Sequence, residues 1–350
     1  MKVRCMVSAL AVMGLIAAGL AGCSQSGGSS IGTTAAGTAA STTAAAGEES
    51  GGGGTDYPTQ AITLIIPYSA GGSTDIGARL LAAEAEKILG QPIVSTNQEG
   101  AGGWIGWSSA LSAEADGYTM VHTNSPNLIT GYLDPQQNRS QTIEDFAPII
   151  LYAMDSNAVA IRADETRFTT FEELVAYAKE NEVFATSSGP AGDDDIAIKK
   201  LNQALGTKLT AVPTQSSSEA LTSVLGGHID VYVGNIGDTK VPTENGDLKP
   251  LAILAEERSA IMPDLPTVEE LTGSLVTASS SRGIAVKAGT DPAIVEKLEE
   301  AFAEAAQTDS FKQSMLDQGI EAIAIVGDDY MELLKQEEAE LKELAPLLGW

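Results

Sequence analysis

The chain has 350 residues, with 47 acidic against 20 basic side chains, a formal charge of −27 and only two cysteines. So acidic a body is repelled by nucleic acid and by anionic lipid surfaces, which removes both as partners of the folded part. Cys5 and Cys23 both precede Tyr57, so the 294 residues from Tyr57 to Trp350 have no disulfide and no thiolate chemistry, and must rely on a core large enough for two ordinary domains.

The first segment, MKVRCMVSALAVMGLIAAGLAGCSQSGG, puts Lys2 and Arg4 before an uncharged stretch rich in Ala, Val, Leu and Met. That pattern predicts a secretory signal peptide over 1–22, with a membrane-spanning helix as the alternative for an apolar run of about 18 residues. Leu20-Ala21-Gly22-Cys23 resembles a bacterial lipobox. The resemblance implies that Cys23 becomes the first mature residue and carries lipid, at roughly 0.8 kcal/mol of membrane affinity per buried CH₂. Loss of Lys2 and Arg4 leaves 18 basic against 47 acidic residues, a mature charge of −29. Residues 23–56 are Gly, Ser, Thr and Ala with almost no large apolar side chains. They read as a disordered tether that spans on the order of 30 Å.

From Tyr57 the pattern alternates strand and helix. Ile62–Ile66 is a short apolar run of the kind buried on both faces of a parallel sheet. Between it and a helix predicted over Ile76–Leu89 lies the Gly-rich stretch SAGGSTD. That stretch reads either as a tight turn with Thr74 or Asp75 as helix cap, or as a cradle of backbone N–H groups for an anion. No Gly-Lys-Ser/Thr follows, so it is not a Walker loop. Strands are further predicted at Ile93–Val94, Tyr118–His122, Ala158–Ile161, Val183–Thr186, Asp230–Val233, Leu251–Leu254 and Ile284–Val286. Thr170 and Glu173 form a candidate capping box, and Ala293–Gln307 a late helix. The alternation predicts an α/β protein of two lobes, each a mainly parallel sheet flanked by helices. Changes of character near 158–166 and 279–282 predict a discontinuous first lobe, 57–160 plus 282–350, with a second lobe, 161–281, inserted. Two crossings make a hinge, and the carboxyl ends of strands in both lobes would face one cleft.

Further candidate motifs sit at strand ends. EGAGGWIG (Glu99–Gly106) lacks the spacing of a dinucleotide fingerprint, and Trp104 and Trp107 beside it either wall a pocket or pack in the core. Thr186–Asp195 and Gly234–Gly237 are polar, glycine-bearing loops after predicted strands. Asp193, Asp194 and Asp195 are consecutive and cannot all converge on one metal ion; helix capping is their other reading. The chain has only His122 and His228 and lacks a G-x-S-x-G elbow, an H-E-x-x-H motif and a cysteine nucleophile, so nothing argues for an enzyme. Neither a cofactor nor a metal is expected.

In order along the chain, YPTQAITLIIPYSAGGSTDIGARLLAAEAEKILGQPIVSTNQEGAGGWIG, ADGYTMVHTNSPN, GGHIDVYVGN, LAILAEERSAIMPDLPTVEEL and AVKAGTDPAIVEKLEEAFAEA closely resemble the solute receptors of tripartite tricarboxylate transporters, the Bug-type binding proteins. The likeness covers nearly all of 57–350. It implies a periplasmic-binding-protein-like fold closing over a small organic acid, capture outside the membrane, and delivery to the permease subunits of such a transporter; nothing in the sequence suggests self-association, so a monomer is expected. Carried over by position, Ala70, Gly71, Gly72, Ser73, Thr74 and Asp75 would hold one ligand carboxylate, partly through water. Tyr68, Trp104, Thr123, Asn124 and Ser125 would line the first lobe. Ser187, Ser188, Gly189, Asp194, Asp195 and Asn235 would face them. Where relatives often carry His, this chain has Asp195, which argues against a polyanion such as citrate. A ligand with one carboxylate plus an ammonium or hydroxyl donor, or one of little charge, is expected. A ligand-sensing subunit for a membrane kinase would share this fold and cleft, and an exported enzyme is the third alternative.

Overall fold

The chain's fold, a computed structural model, describes residues 56–350 apart from Gln215. The leader 1–22, Cys23 and the tether up to residue 55 lie outside the described residues. The described residues belong to one compact unit.

In chain order the elements are β1 (Ile62–Ile66), α1 (Ser73–Leu89), β2 (Ile93–Asn97), α2 (Trp104–Ser112), β3 (Thr119–Ser125), α3 (Asn127–Leu133) and β4 (Phe146–Arg162). There follow α4 (Phe171–Glu180), β5 (Val183–Ser187), α5 (Asp193–Leu205), β6 (Leu209–Pro213), α6 (Ser217–Leu225), β7 (Val231–Asn235), α7 (Ile236–Glu244), β8 (Leu248–Ile253) and α8 (Val268–Thr272). The chain closes with β9 (Ser279–Lys287), α9 (Pro292–Gln307), α10 (Asp309–Asp317), β10 (Ala322–Val326), α11 (Gly327–Glu343) and α12 (Ala345–Leu348).

The strands run in the order β2-β1-β3-β9-β4-β7-β5-β6, with β8 and β10 also on β4. Each half of this sheet holds a parallel trio, β2-β1-β3 in one and β7-β5-β6 in the other. Between the trios every pairing, of β9 with β3 and of β4 with β9, β10, β7 and β8, is antiparallel. The architecture is that of a periplasmic-binding-protein-like α/β fold with a mixed sheet. Its parallel βαβ units supply the strand ends where ligands bind.

The 17-residue β4 is the largest departure from the sequence pattern, which marked only Ala158–Ile161. Its Phe146–Ser156 stretch pairs with β9 in the first half, and its Asn157–Arg162 stretch pairs with β7 and β8 in the second. Its sequence, FAPIILYAMDSNAVAIR, has no period-two alternation and is interrupted by the polar Asp155-Ser156-Asn157, so its true length was hidden. Likewise β3 extends past His122, and Thr123, Asn124 and Ser125 are buried strand residues held by β9. α1 starts at Ser73, three residues before the expected Ile76, since a polar first turn adds nothing to the apolar period that marks the helix in the sequence. Thr170 caps α4 by accepting the Glu173 amide, but Glu173 returns its carboxylate to Thr169, so the reciprocal box does not form.

Two apolar cores flank the crossing. Leu64, Leu81, Ile150, Phe302 and Phe311 belong to one, and Ile161, Phe168, Leu174, Val231 and Leu251 to the other. Among the described residues no helix is long and apolar enough to cross a membrane.

His122 lies fully buried in the first half, its Nε2 3.0 Å from Tyr152 Oη and its Nδ1 without a partner. Burial, aided by Arg282, drives its imidazole down to about 3. The unfolded chain takes up that proton near pH 6.5, so the stabilisation is intact above that pH and falls by roughly 1.4 kcal/mol per pH unit below it. His122→Gln is therefore expected to shrink the stability difference between about pH 7 and pH 5 by about 2 kcal/mol in urea unfolding. An unchanged difference would count against it.

Candidate functional site

The loop between β1 and α1 is built around Gly71, whose φ of +84° is a left-handed conformation that favours glycine. Gly72 is the extended N-cap residue and offers no side-chain cap. Asp75 returns from the first turn so that its Oδ2 accepts the Gly71 amide at 3.0 Å. Its Oδ1 accepts Arg79 Nε and Asn97 Nδ2, both at 2.8 Å. Burial would raise this carboxyl, but the Gly71 and Asn97 donors and the Arg79 guanidinium outweigh burial and hold it below the usual range. The expectation that Gly71 presents a free amide is thus corrected, because Asp75 takes it. The first intrahelical amide is Ile76, which bonds Gly72 O at 3.0 Å. The amides of Ser73 and Thr74 have no acceptor within the helix.

The loop between β5 and α5 repeats this design. Ala191 has φ +58°, and Gly192 is the extended N-cap residue. Asp195 Oδ2 accepts the Ala191 amide at 2.7 Å and Lys199 Nζ at 2.6 Å.

These loops border a cavity of about 450 Å³, lined from both halves of the sheet. Of the site residues expected from sequence, Tyr68, Thr74, Trp104, Asn124, Ser188, Gly189, Asp194 and Asn235 line it. Ala70, Gly71, Gly72, Ser73, Asp75, Thr123, Ser125, Ser187 and Asp195 are not on its wall. Thr123 Oγ1 pairs with Tyr330 Oη at 2.9 Å, Ser187 Oγ accepts the Gly189 amide at 3.1 Å, and Asp195 faces Lys199. Of the two tryptophans only Trp104 lines the cavity. Trp107 is fully buried, with Nε1 on His122 O at 2.8 Å.

The wall is acidic. Glu99, Asp134, Asp193, Asp194 and Asp238 line it, against the single cation Arg139, which lies 4.9 Å over the Trp104 ring. Burial pushes the Asp193 and Asp194 carboxyls up, and for Asp194 the neighbouring Asp193 charge adds to it. Tyr68 Oη and Trp104 Nε1 are buried without partners. Among the described residues no group of three or more His, Cys, Asp or Glu could hold a metal ion.

Behind the wall, where β4 passes between the halves, Arg282 Nη2 donates to Asp155 Oδ2 at 3.1 Å and to Asn235 Oδ1 at 3.0 Å. Asn235 Nδ2 reaches Asp193 Oδ2 at 3.3 Å, and Asn157 Nδ2 reaches the same oxygen at 3.1 Å. Sequence reasoning missed Asp155, Asn157, Arg139, Asp238 and the pairing role of Arg282. Its one available signal was a lone charge within an apolar strand, as in AMDSNAVAI and SSSRGIAV.

The profile described as "Tripartite tricarboxylate transporter family receptor" matches residues 77–349. The chain belongs to this family. A Cupriavidus necator protein, the "UPF0065 protein in gbd 5'region", is 33% identical to the receptor over 297 residues, covering 82% of this chain and 88% of the relative. The periplasmic binding protein BugD is 25% identical with a TM-score of 0.77, over 84% of this chain and 99% of its own. An R. palustris protein solved with adipate is 26% identical with a TM-score of 0.76, again over 84% and 99%. The receptor is therefore a solute-binding protein of a family of receptors rather than of enzymes.

Proposed function

We propose that this receptor captures a small organic acid in the cavity between the halves of the sheet and hands it to the membrane permease of a tripartite tricarboxylate transporter. The observation that carries this reading is the cavity itself, with two strand-loop-helix units of one design facing it from opposite halves. The α1 end receives the carboxylate through its first-turn amides, where the helix dipole favours an anion. Thr74, Tyr68, Trp104 and Asn124 touch the ligand from one side, and Ser188, Gly189, Asp194 and Asn235 from the other. Ala70–Ser73, Asp75, Thr123, Ser125, Ser187 and Asp195 hold those loops from behind. Residues 57–160 plus 282–350 act as one lobe and 161–281 as the other, and they close about the β4 and β9 crossing. The receptor works outside the cytoplasm as a monomer, held to the membrane by lipid on Cys23 and the tether 23–56.

A thermal-shift screen of organic acids tests this. Ligand at about 100 times its dissociation constant adds roughly 2.7 kcal/mol of stability, a clear rise in melting temperature. No rise with any mono- or dicarboxylate overturns the reading.

A further inference from the structure

The β1–α1 and β5–α5 loops share a backbone design and differ in charge where their helices begin, Ser73-Thr74 against Asp193-Asp194. Gly71 and Ala191 share the left-handed backbone, Gly72 and Gly192 the extended cap, and Asp75 and Asp195 the carboxylate returned to the loop amide. Arg79 and Lys199 then pair with those carboxylates one turn on. At the second residue of each helix, both on the cavity wall, stand Thr74 and Asp194. Asp194 turns its carboxylate into its own loop. Oδ2 accepts the Ser188 amide at 2.6 Å, and Oδ1 accepts Ser188 Oγ at 2.9 Å and the Asp195 amide at 2.8 Å. A carboxylate held by amides and a hydroxyl at a helix N-terminus is how such a loop would hold a ligand's carboxylate. Here the protein supplies it. Asp193 lies beside it, so of the two loops it is the α1 one whose first-turn amides of Ser73 and Thr74 are without a helix acceptor.

Trp104 is 3% exposed and lines the cavity, and its Nε1, against Gly131 on the same wall, has no acceptor.

We infer that Asp194 is a built-in surrogate for a second ligand carboxylate, so that the receptor selects monocarboxylates whose far end is an ammonium and rejects dicarboxylates. This rests on the carboxylate-capture reading above and moves the selecting residue from Asp195, which is off the wall and paired with Lys199, to Asp194.

The test is calorimetry on the full mature chain with two matched series, dicarboxylates from malonate to adipate and ω-amino acids from β-alanine to ε-aminocaproate. Wild type is expected to favour the ω-amino acids by at least about tenfold, because Asp194 already occupies the amide and hydroxyl donors of its loop and a second ligand carboxylate placed there would be left without partners. Asp194→Ser, which restores the hydroxyl chemistry of Thr74, is expected to reverse that order. Asp194→Asn keeps the shape without the charge and should shift the preference the same way, which covers a serine variant that fails to fold. Dicarboxylate binding by wild type as tight as that of the amino acids, or a preference unmoved in a folded variant, overturns the inference while leaving carboxylate capture intact. Absence of binding by either series to any of the proteins overturns the capture reading with it.

Discussion

Asp155→Ala is expected to cost the receptor about 3–5 kcal/mol of folding stability, the usual penalty for stranding one member of a buried ion pair. Arg282 is 1% exposed, and its Nε and Nη1 already lack partners. Only Nη2 is satisfied, by Asp155 and Asn235. A guanidinium keeps its charge at any ordinary pH, so removal of Asp155 leaves that charge buried. The reverse variant is milder. Burial already raises the Asp155 carboxyl to about 7 even though Arg282 opposes it, so in Arg282→Met the lone Asp155 can take up a proton and become neutral. Urea unfolding at neutral pH should therefore rank Asp155→Ala as clearly worse than Arg282→Met. A cost below about 1 kcal/mol for Asp155→Ala, the range of an exposed pair, would show that the ion pair does not hold the crossing together.

Gly131→Ala is expected to cost about 1–3 kcal/mol through overpacking and to weaken ligand capture with it. A Cβ at this position would overlap the Trp104 indole nitrogen and lie 2.5 Å from Cδ1 and 2.9 Å from Cε2. The ring has little room to yield. Trp107 and Tyr132 meet it edge-on, with ring centroids 5.5 and 6.4 Å away, and Arg139 covers its face while donating to Gly131 O at 2.6 Å. Gly131 and Trp104 both line the cavity, so displacement of either reshapes the wall. Trp104→Phe removes the clashing nitrogen, and the double variant should be more stable than the two single costs predict, with coupling of about 0.5–3 kcal/mol. Strict additivity, or a melting temperature for Gly131→Ala equal to that of wild type, would refute the clash.

Much of the fold was legible because the βαβ alternation is written in short apolar runs and amphipathic helices, as at Ile62–Ile66 followed by α1. The loops were legible too, since glycine and small polar residues between a strand and a helix mark a backbone of special conformation. Which loop residues meet the cavity was not. Asp194 and Asp195 are neighbours of identical chemistry, yet the first lines the cavity and the second is turned back to Ala191 and Lys199. The direction of a side chain in the first turn of a helix depends on its position around the axis, which composition does not record. The buried Asp155–Arg282 pair joins residues 127 positions apart, and no local pattern links them.

By itself, the sequence determined an acidic, cysteine-free α/β body with Gly-rich loops at strand ends, because local propensity and apolar periodicity are properties of neighbouring residues. The tertiary structure alone decided that β4 serves both halves of the sheet, and that AGGSTD and PAGDDD are versions of one loop brought to opposite walls of one cavity. The two hexapeptides lie 120 positions apart and share too few residues to register as a repeat. Strand pairing across the crossing is what sets them face to face, and pairing between distant segments is a product of packing rather than of local sequence.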